Sequence, residues 1–412
     1  MARARHRQRP RVAHVTTSDI SLRLLLLHQL ESIRDGGYDV TGISSPGPDV
    51  AALVEAGIAH IAVPMSRRYT PVADLRSLFA LWRVLRREGF DVVHTHTPKA
   101  GLLGQYAALL AGVPVRVHTI HGLYFPANAS PHLRFAFVLL ERLTMLFSRH
   151  NFCQNPEDMD AAVAEHISRP DRLELIGNGI DLRALAPDRR TADQRRATRR
   201  SLGLDDEHLV VGVVARLVAE KGYHELFEAA ATVHAAEPRA RFVFIGPFEP
   251  EKPDAIKQET LVERKIDGFA QFLGHRNDVA DLYAVMDLHV LPSHREGFPR
   301  TPMEASAMGV PSIVTDVRGC RQTVDHEVTG LIVPVRDPRS LAAAILRLLG
   351  DPATRRRMGE AAREKAVREF DERAVFAKVR AAYGRLLEEA GLAGAEAEPS
   401  RARSSNGVEL PT

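Results

Sequence analysis

The chain has 412 residues, 45% of them hydrophobic and 26% charged. This is the composition of a globular protein of two or three domains, and it excludes an intrinsically disordered chain. Two cysteines, Cys153 and Cys320, exclude a disulfide scaffold and suit a reducing compartment. Lys and Arg number 55 against 52 Asp and Glu, a net of +3, without the basic excess of a dedicated nucleic-acid binder; yet residues 1–150 carry +8 and the remainder −5.

The basic start MARARHRQRPR is followed by no apolar run of signal-peptide length. Val12–Val15 is broken by His14, Leu24–Leu27 is flanked by Arg23 and His28, and the longest apolar run, Phe135–Leu140, falls well short of the ~20 residues of a spanning helix. Residues 1–11 therefore read as a disordered basic tail, and the protein as cytoplasmic. Val12–Thr16 reads as a buried strand, Ser21–Arg34 as a helix ended by Gly36-Gly37, and Tyr38–Ile43 as the next strand. After Thr70-Pro71, Leu75, Leu78, Phe79, Trp82 and Leu85 form an amphipathic helical stripe stopped by Gly89. Phe90–His94, helix Lys99–Leu110 and Val115–Thr119 continue the alternation. A second series follows: strands Leu209–Ala215, Arg241–Ile245, Ala270–Leu273, Leu288–Leu291 and Ser312–Thr315, with a helix from Tyr223. Alternating strands and helices imply parallel sheets covered on both faces.

The expected organisation is two doubly wound domains facing a common cleft, 12–182 and 206–370. An Arg-rich linker or solvated helix, 183–205, joins them. A C-terminal helix, 371–390, packs back on the first domain, and 391–412 form a disordered tail.

In open α/β sheets ligands sit beyond the carboxyl ends of the strands. Those ends carry Ser18-Asp19, the run from His94 through His96 to Lys99, and His118 to His121 in the first series. In the second they carry Arg216 with Lys221, then Gly274 with Arg276, then Glu296-Gly297-Phe298-Pro299. Basic groups and glycines on one side suit an anionic, phosphate-bearing ligand: Arg216 would fork onto phosphate oxygens and Lys221 add a point charge. Glu296 and Glu304 stand eight residues apart. Thr301-Pro302-Met303-Glu304 reads as a capping box, which would hold the Glu304 carboxylate where ribose hydroxyls could donate to it. Gly297-Phe298-Pro299 would expose backbone N–H groups beside that helix. His94-x-His96 and His118-x-x-His121 have the spacing of metal ligands, but no third-ligand motif accompanies them, so no metal is expected. A polar or general-base role for His121 and a structural His118 facing into the sheet are favoured. No Walker loop and no G-x-G-x-x-G after the first strand is present, which disfavours a P-loop ATPase and an ordinary dinucleotide dehydrogenase.

The segment HREGFPRTPMEASAMGVPSIVTDVRGC, with VVARLVAEKG and QFLGHRNDVADLYAVMDLHVLPS before it, resembles the donor domain of family 4 retaining glycosyltransferases of the GT-B fold. DVVHTHTPKAGLLGQYAALLAGVPVRVHTIHGLYF is similar to the acceptor domain of their bacterial members, and IGNGID to their interdomain stretch.

The resemblance implies a nucleotide-sugar (UDP-linked) hexosyl or N-acetylhexosaminyl transfer to a glycan or polyprenyl-linked acceptor, without a metal or other cofactor. Arg216 and Lys221 would bind the donor diphosphate, Glu304 the ribose, and Glu296 with Gly297, Phe298 and Pro299 the sugar. Gly274 and Arg276 would line the base, His121 would stand near the reacting carbon, and Ser18, Asp19, His96 and Lys99 would lie on the acceptor side. A sugar-nucleotide epimerase of the same fold and a non-catalytic nucleotide-sugar-binding scaffold are the alternatives. Many relatives carry Gly-Gly after the first strand where this chain has Thr16-Thr17-Ser18-Asp19-Ile20. Arginines around the helix after Thr70 (Arg67, Arg68, Arg76, Arg83, Arg86, Arg87) and near Arg134, Arg142 and Arg149 suit equally a solvated helix face or docking on an anionic membrane, at the inner face of the plasma membrane.

Overall fold

The computed structural model describes residues 9–66, 70–123 and 130–392. Most of both expected tails, and Arg67 and Arg68, lie outside the described residues. Within them, seven strands are ordered β3-β2-β1-β4-β5-β6-β7: β1 Arg11–Ser18, β2 Asp39–Ser45, β3 Ala59–Ala62, β4 Val92–His96, β5 Val115–Ile120, β6 His150–Cys153 and β7 Leu173–Leu175. A six-stranded sheet has the order β10-β9-β8-β11-β12-β13: β8 Leu209–Val214, β9 Ala240–Ile245, β10 Ala270–Gly274, β11 Leu288–Leu291, β12 Ser312–Thr315 and β13 Gly330–Val333. The pairings are parallel, with Val12 opposite both Val40 and Val92, and Val211 opposite both Phe242 and Leu288. In each sheet the strand order runs outward, then jumps back across the first strand. That reversal, β1/β4 in one sheet and β8/β11 in the other, is the topological switch point of a doubly wound fold.

β8 is an almost continuous run of valines, whereas β1 and β4 interrupt their valines with buried His14, His94 and His96, and β1 and β8 are almost wholly buried. The helix Pro71–Glu88 starts on a proline and stops at Gly89 in the left-handed conformation (φ +64°), burying Leu81 and Leu85. The helix after β1 is irregular: α-helical at Asp19–Ser21 and Leu27–Asp35, with a π-helical turn at Leu22–Leu26 between.

The chain forms two compact units. One runs through Thr119 and adds Leu139–Asn151 and residues from Phe376 on; the other takes Ile120–Val138 and Phe152–Val375. The first has a core of Val15, Ile43, Leu81, Val93 and Ala107, and its C-terminal helix Glu372–Glu389 places Tyr383 in that unit. In the second, Tyr223, Phe227 and Phe244 stack edge-to-face and tilted at 5.6–5.8 Å between ring centroids. The Arg-rich stretch 183–205 holds the helix Ala192–Ser201, opened by a capping box between Thr191 and Gln194. Arg199 there donates to the carbonyls of Asp205 and His208.

Candidate active site

At the switch point of the second sheet, β8 leads into Arg216 and a tight turn, Ala219–Lys221, before the helix Tyr223–Ala236. Gly222 sits at φ +76°, and a Cβ there would stand 2.0 Å from the Pro292 carbonyl oxygen, just beyond β11. The turn therefore presses main chain on main chain against the end of β11, which only glycine permits. This brings Lys221 Nζ to 2.6 Å from Glu296 Oε1, and Ser293 Oγ donates to the same oxygen at 2.6 Å. The Ser293 carbonyl in turn accepts from Thr315 Oγ1 at the end of β12. The Lys221 and Glu296 side chains are only 13% and 11% exposed, so the pair is short, charge-assisted and largely dry. Arg216 holds carboxylates of its own: Glu249 at 2.9 Å and Glu220 at 3.7 Å. Burial works to raise the Glu249 carboxyl, but hydrogen bonds from Lys252 and Arg216 hold it below its usual range. The proline-rich loop after Gly246 thus supplies the partner that covers Arg216.

The loop after Glu296 is fixed by its carbonyls. Asn155 Nδ2 donates to the Gly297 oxygen at 2.8 Å and Asn178 Nδ2 to the Phe298 oxygen at 2.9 Å. A Cβ on Gly297 would meet the His121 carbonyl oxygen at 2.1 Å. Among the described residues, the N–H groups of Gly297 and Phe298 have no acceptor in the protein. Pro299 has no N–H at all, so of the three expected donors only two exist.

The helix that follows spans Arg300–Ala307, with Pro299 as its N-cap and no side-chain cap. The capping box expected at Thr301 to Glu304 is not formed. Pro299 and Arg300 start the helix earlier, so Thr301 already has helical backbone and cannot cap it. Glu304, a full turn inside, accepts instead from the Tyr283 hydroxyl at 3.0 Å. Burial raises the Glu304 carboxyl, opposed by Arg300 and by that hydrogen bond. Arg276 forks onto Asp278 at 2.7 and 2.5 Å, while the Gly274 carbonyl accepts from the Gly246 N–H at 2.9 Å.

His121 keeps some solvent contact at residue level. The protein packed around it nevertheless disfavours the charged ring and lowers its pKa to about 4, against a hydrogen bond that the ring donates to Gln154. It is a neutral imidazole near pH 7, able to contact a hydroxyl without adding charge. The thiols are chemically quiet: burial pushes Cys153 up to about 12 and raises Cys320 well above the usual range.

The switch point of the first sheet is built differently. The register of β1 on β2 shifts between Val15 and Ser18, so a bulge makes the turn that glycines would otherwise make. Ser18 Oγ lies 3.0 Å from Ser21 Oγ. Asp19, 7% exposed, accepts the Asp49 N–H at 2.9 Å and so staples the neighbouring loop. Lys99, 4% exposed, forms an ion pair with Asp74 and donates to Ser66 Oγ at 3.2 Å. His96 lies in a buried network: His14 Nδ1 to His96 Nε2 is 3.0 Å, His94 Nδ1 to the Tyr383 hydroxyl 2.6 Å, His94 Nε2 to Thr119 Oγ1 2.6 Å, and the Tyr383 hydroxyl to His14 Nε2 3.3 Å. The third histidine that no motif announced is therefore His14, and ligand nitrogens of His14, His94 and His96 lie within 4.8 Å of one another. Both nitrogens of His14 and of His94 are already engaged in hydrogen bonds. Burial lowers the pKa of His14 to about 3, so its ring is neutral. His118 is buried and bonds Thr95 Oγ1 at 2.8 Å, inside the sheet rather than in a site. Beside His96, Thr97 is held at φ +62° with its Oγ1 buried and unpartnered among the described residues, a strained turn of the kind found where ligands are handled.

Sequence reasoning singled out Lys221 and Glu296 but missed Ser293, Asn155, Asn178, Tyr283, His14 and Tyr383. For Asn178 the signal was present, within the IGNGID stretch.

Two family models match the chain: glycosyl transferases group 1 over residues 194–365 and the glycosyl transferase 4-like domain over residues 23–179. The UDP-Gal:alpha-D-GlcNAc-diphosphoundecaprenol alpha-1,3-galactosyltransferase of Escherichia coli is 28% identical over 348 residues, 83% of this chain and 88% of that protein. The D-inositol 3-phosphate glycosyltransferase of Saccharomonospora viridis is 30% identical over 308 residues, 69% of each chain. In fold, HepE of Anabaena, solved with UDP and glucose, superposes with a TM-score of 0.79 at 20% identity, over 91% of this chain and 100% of that one. With two doubly wound parallel sheets and these relatives, the chain belongs to the family 4 glycosyltransferases of the GT-B fold.

Proposed function

We propose that this glycosyltransferase moves a hexose or N-acetylhexosamine from a UDP-sugar to a glycan or polyprenyl-diphosphate-linked acceptor, with retention at the anomeric carbon and without a metal. One observation carries the donor assignment: Lys221, Glu296 and Ser293 converge at the switch point of the second sheet, beside the open N–H groups of Gly297 and Phe298. Lys221 and Arg216 hold the diphosphate and stabilise the charge that builds on it as the glycosidic bond breaks, work that a divalent cation does elsewhere. Glu296 accepts from sugar hydroxyls, and the two N–H groups donate to sugar or phosphate oxygens. Glu304 takes a ribose hydroxyl, Gly274 and Arg276 flank the base, and His121 contacts the sugar near the reacting carbon. The acceptor hydroxyl oxygen attacks that carbon on the face the diphosphate leaves. The departing phosphate keeps the bonding electrons and takes the hydroxyl proton. Ser18, Asp19, His96 and Lys99 belong to acceptor recognition.

The lipid-linked acceptor is supported by the name of the Escherichia coli relative, and the uridine donor also by the UDP and glucose bound to HepE. Such an acceptor places the enzyme at the inner face of the plasma membrane. No helix among the described residues is long and apolar enough to cross one.

The test is a screen of UDP- and GDP-sugars with lipid-linked and soluble acceptors, read as nucleotide release. Release of UDP only when an acceptor is added is the expected result. A change in the sugar nucleotide without acceptor points to an epimerase, and no turnover with any pair contradicts transfer.

A further inference from the structure

We infer that Asp158 is a positioning residue for the donor sugar: it clamps the loops after β5, β11 and β12 together and so aims the Phe298 N–H. The inference rests on the role proposed above for that N–H. Asp158 and the three loops all belong to the second unit.

Asp158 stands in the first turn of the helix Pro156–Ala164, which follows β6. Asn155 caps that helix, its side-chain oxygen accepting the Asp158 N–H at 2.7 Å. Asp158 is only 1% exposed, and a buried carboxylate is costly unless hydrogen bonds hold it. Donors from three separate segments do so. Arg318 Nη1 donates to Oδ1 at 2.9 Å, Asn155 Nδ2 to Oδ2 at 2.6 Å, and the Leu123 N–H also donates to the carboxylate. Burial raises the carboxyl, and these bonds oppose the rise.

Each donor belongs to a segment that touches Gly297. Leu123 follows Gly122, where a Cβ would stand 2.7 Å from Gly297 Cα. Arg318 precedes Gly319, where a Cβ would stand 2.0 Å from the Gly297 carbonyl oxygen. Asn155 Nδ2 carries two hydrogens, and it donates both to Asp158 and to that same carbonyl oxygen. The Gly297 carbonyl and the Phe298 N–H share one planar trans peptide, so holding the oxygen points the N–H the opposite way. One buried carboxylate thus fixes the direction of a donor it never touches. Only an acceptor serves at this place. An asparagine at position 158 would have nearly the same shape but would set an N–H against donors.

The test is calorimetry on the full chain with UDP alone and with UDP-glucose, UDP-galactose and their N-acetylamino counterparts. D158N should raise the ratio of the UDP-sugar Kd to the UDP Kd about tenfold, the worth of one good hydrogen bond, and leave the UDP Kd unchanged. N155S keeps a capping oxygen but is too short to span Asp158 and Gly297, so it should raise the ratio likewise with a melting temperature close to that of the parent chain. Trypsin cleavage of the folded variants after Arg295, at the start of the loop, should be severalfold faster without any nucleotide. A lowered melting temperature with both Kd values changed equally, or with neither changed, would overturn the positioning role, as would unchanged cleavage in folded D158N and N155S. If the parent chain neither binds nor turns over any UDP-sugar while both variants open the loop to trypsin, the donor reading falls and the clamp stands.

Discussion

The two switch points share a topology and differ in chemistry. The one at β8/β11 is lined with charge: Lys221 against Glu296, and Arg216 against Glu249 and Glu220. The one at β1/β4 keeps its charges in the flanking Asp19 and the Lys99–Asp74 pair, while neutral rings fill its centre, with His14, His94 and His96 bonded to one another and to Tyr383 and Thr119. Fold alone therefore does not decide what a carboxyl-terminal crevice binds. A charged crevice can receive a diphosphate and steady its departure.

The contrast is broken most forcefully at Lys221. K221A should lower turnover by about 100- to 1,000-fold, and near-wild-type activity would falsify the diphosphate role. Because it also leaves the largely buried Glu296 carboxylate without its cation, the variant should lose ~3 kcal/mol of stability. Adding E296Q should restore the melting temperature but not the activity.

The next effect is at Glu304. E304Q should weaken donor binding about tenfold, the worth of one good hydrogen bond, measured by calorimetry with UDP. Unchanged affinity with a lowered melting temperature leaves Glu304 as nothing more than the acceptor for Tyr283. On the neutral side, Y383F removes the hydroxyl joining His94 and His14 and should cost ~1–3 kcal/mol of stability. Donor affinity should not change, and a shift there would mean the two crevices are coupled.

Acid should reveal the neutral rings. His14 and His289 titrate at about 3 and His121 at about 4 in the fold, against about 6.5 when unfolded. Between pH 6.5 and those values the unfolded chain binds more protons, so stability rises with pH and is lost as pH falls through that window. A melting temperature flat from pH 7 to pH 4.5 would contradict this. The smallest expected effect is none: EDTA should leave activity intact. Loss of activity restored by a divalent ion would turn attention to His14, His94 and His96.

The buried centre of both sheets was legible in the sequence because those strands are built on short apolar runs, even where a histidine interrupts them. Val12–Thr16, Leu209–Ala215 and Leu288–Leu291 announce themselves in that way. The outer strands of the first sheet were not legible. β3, Ala59–Ala62, and β7, Leu173–Leu175, are half-exposed and carry no apolar run, and β6 opens with His150-Asn151. At the site, Lys221 and Glu296 were visible because strand ends are where ligands bind. Asn155 and Asn178 were not visible in their actual role. They act on backbone oxygens more than a hundred positions away, and nothing in a local pattern records such a partner. Glu304 shows the opposite failure: the local pattern of a capping box was present, and two residues upstream overruled it.

The Lys221–Glu296 pair has a consequence for selectivity. An empty site that keeps its cation satisfied offers little to a stray anion. Inorganic phosphate would have to part the pair and leave the carboxylate stranded. A nucleotide sugar brings an anion for the lysine and hydroxyls for the glutamate in the same molecule. On the proposed function, the ion pair thus favours a ligand that brings sugar and diphosphate joined over one that brings an anion alone.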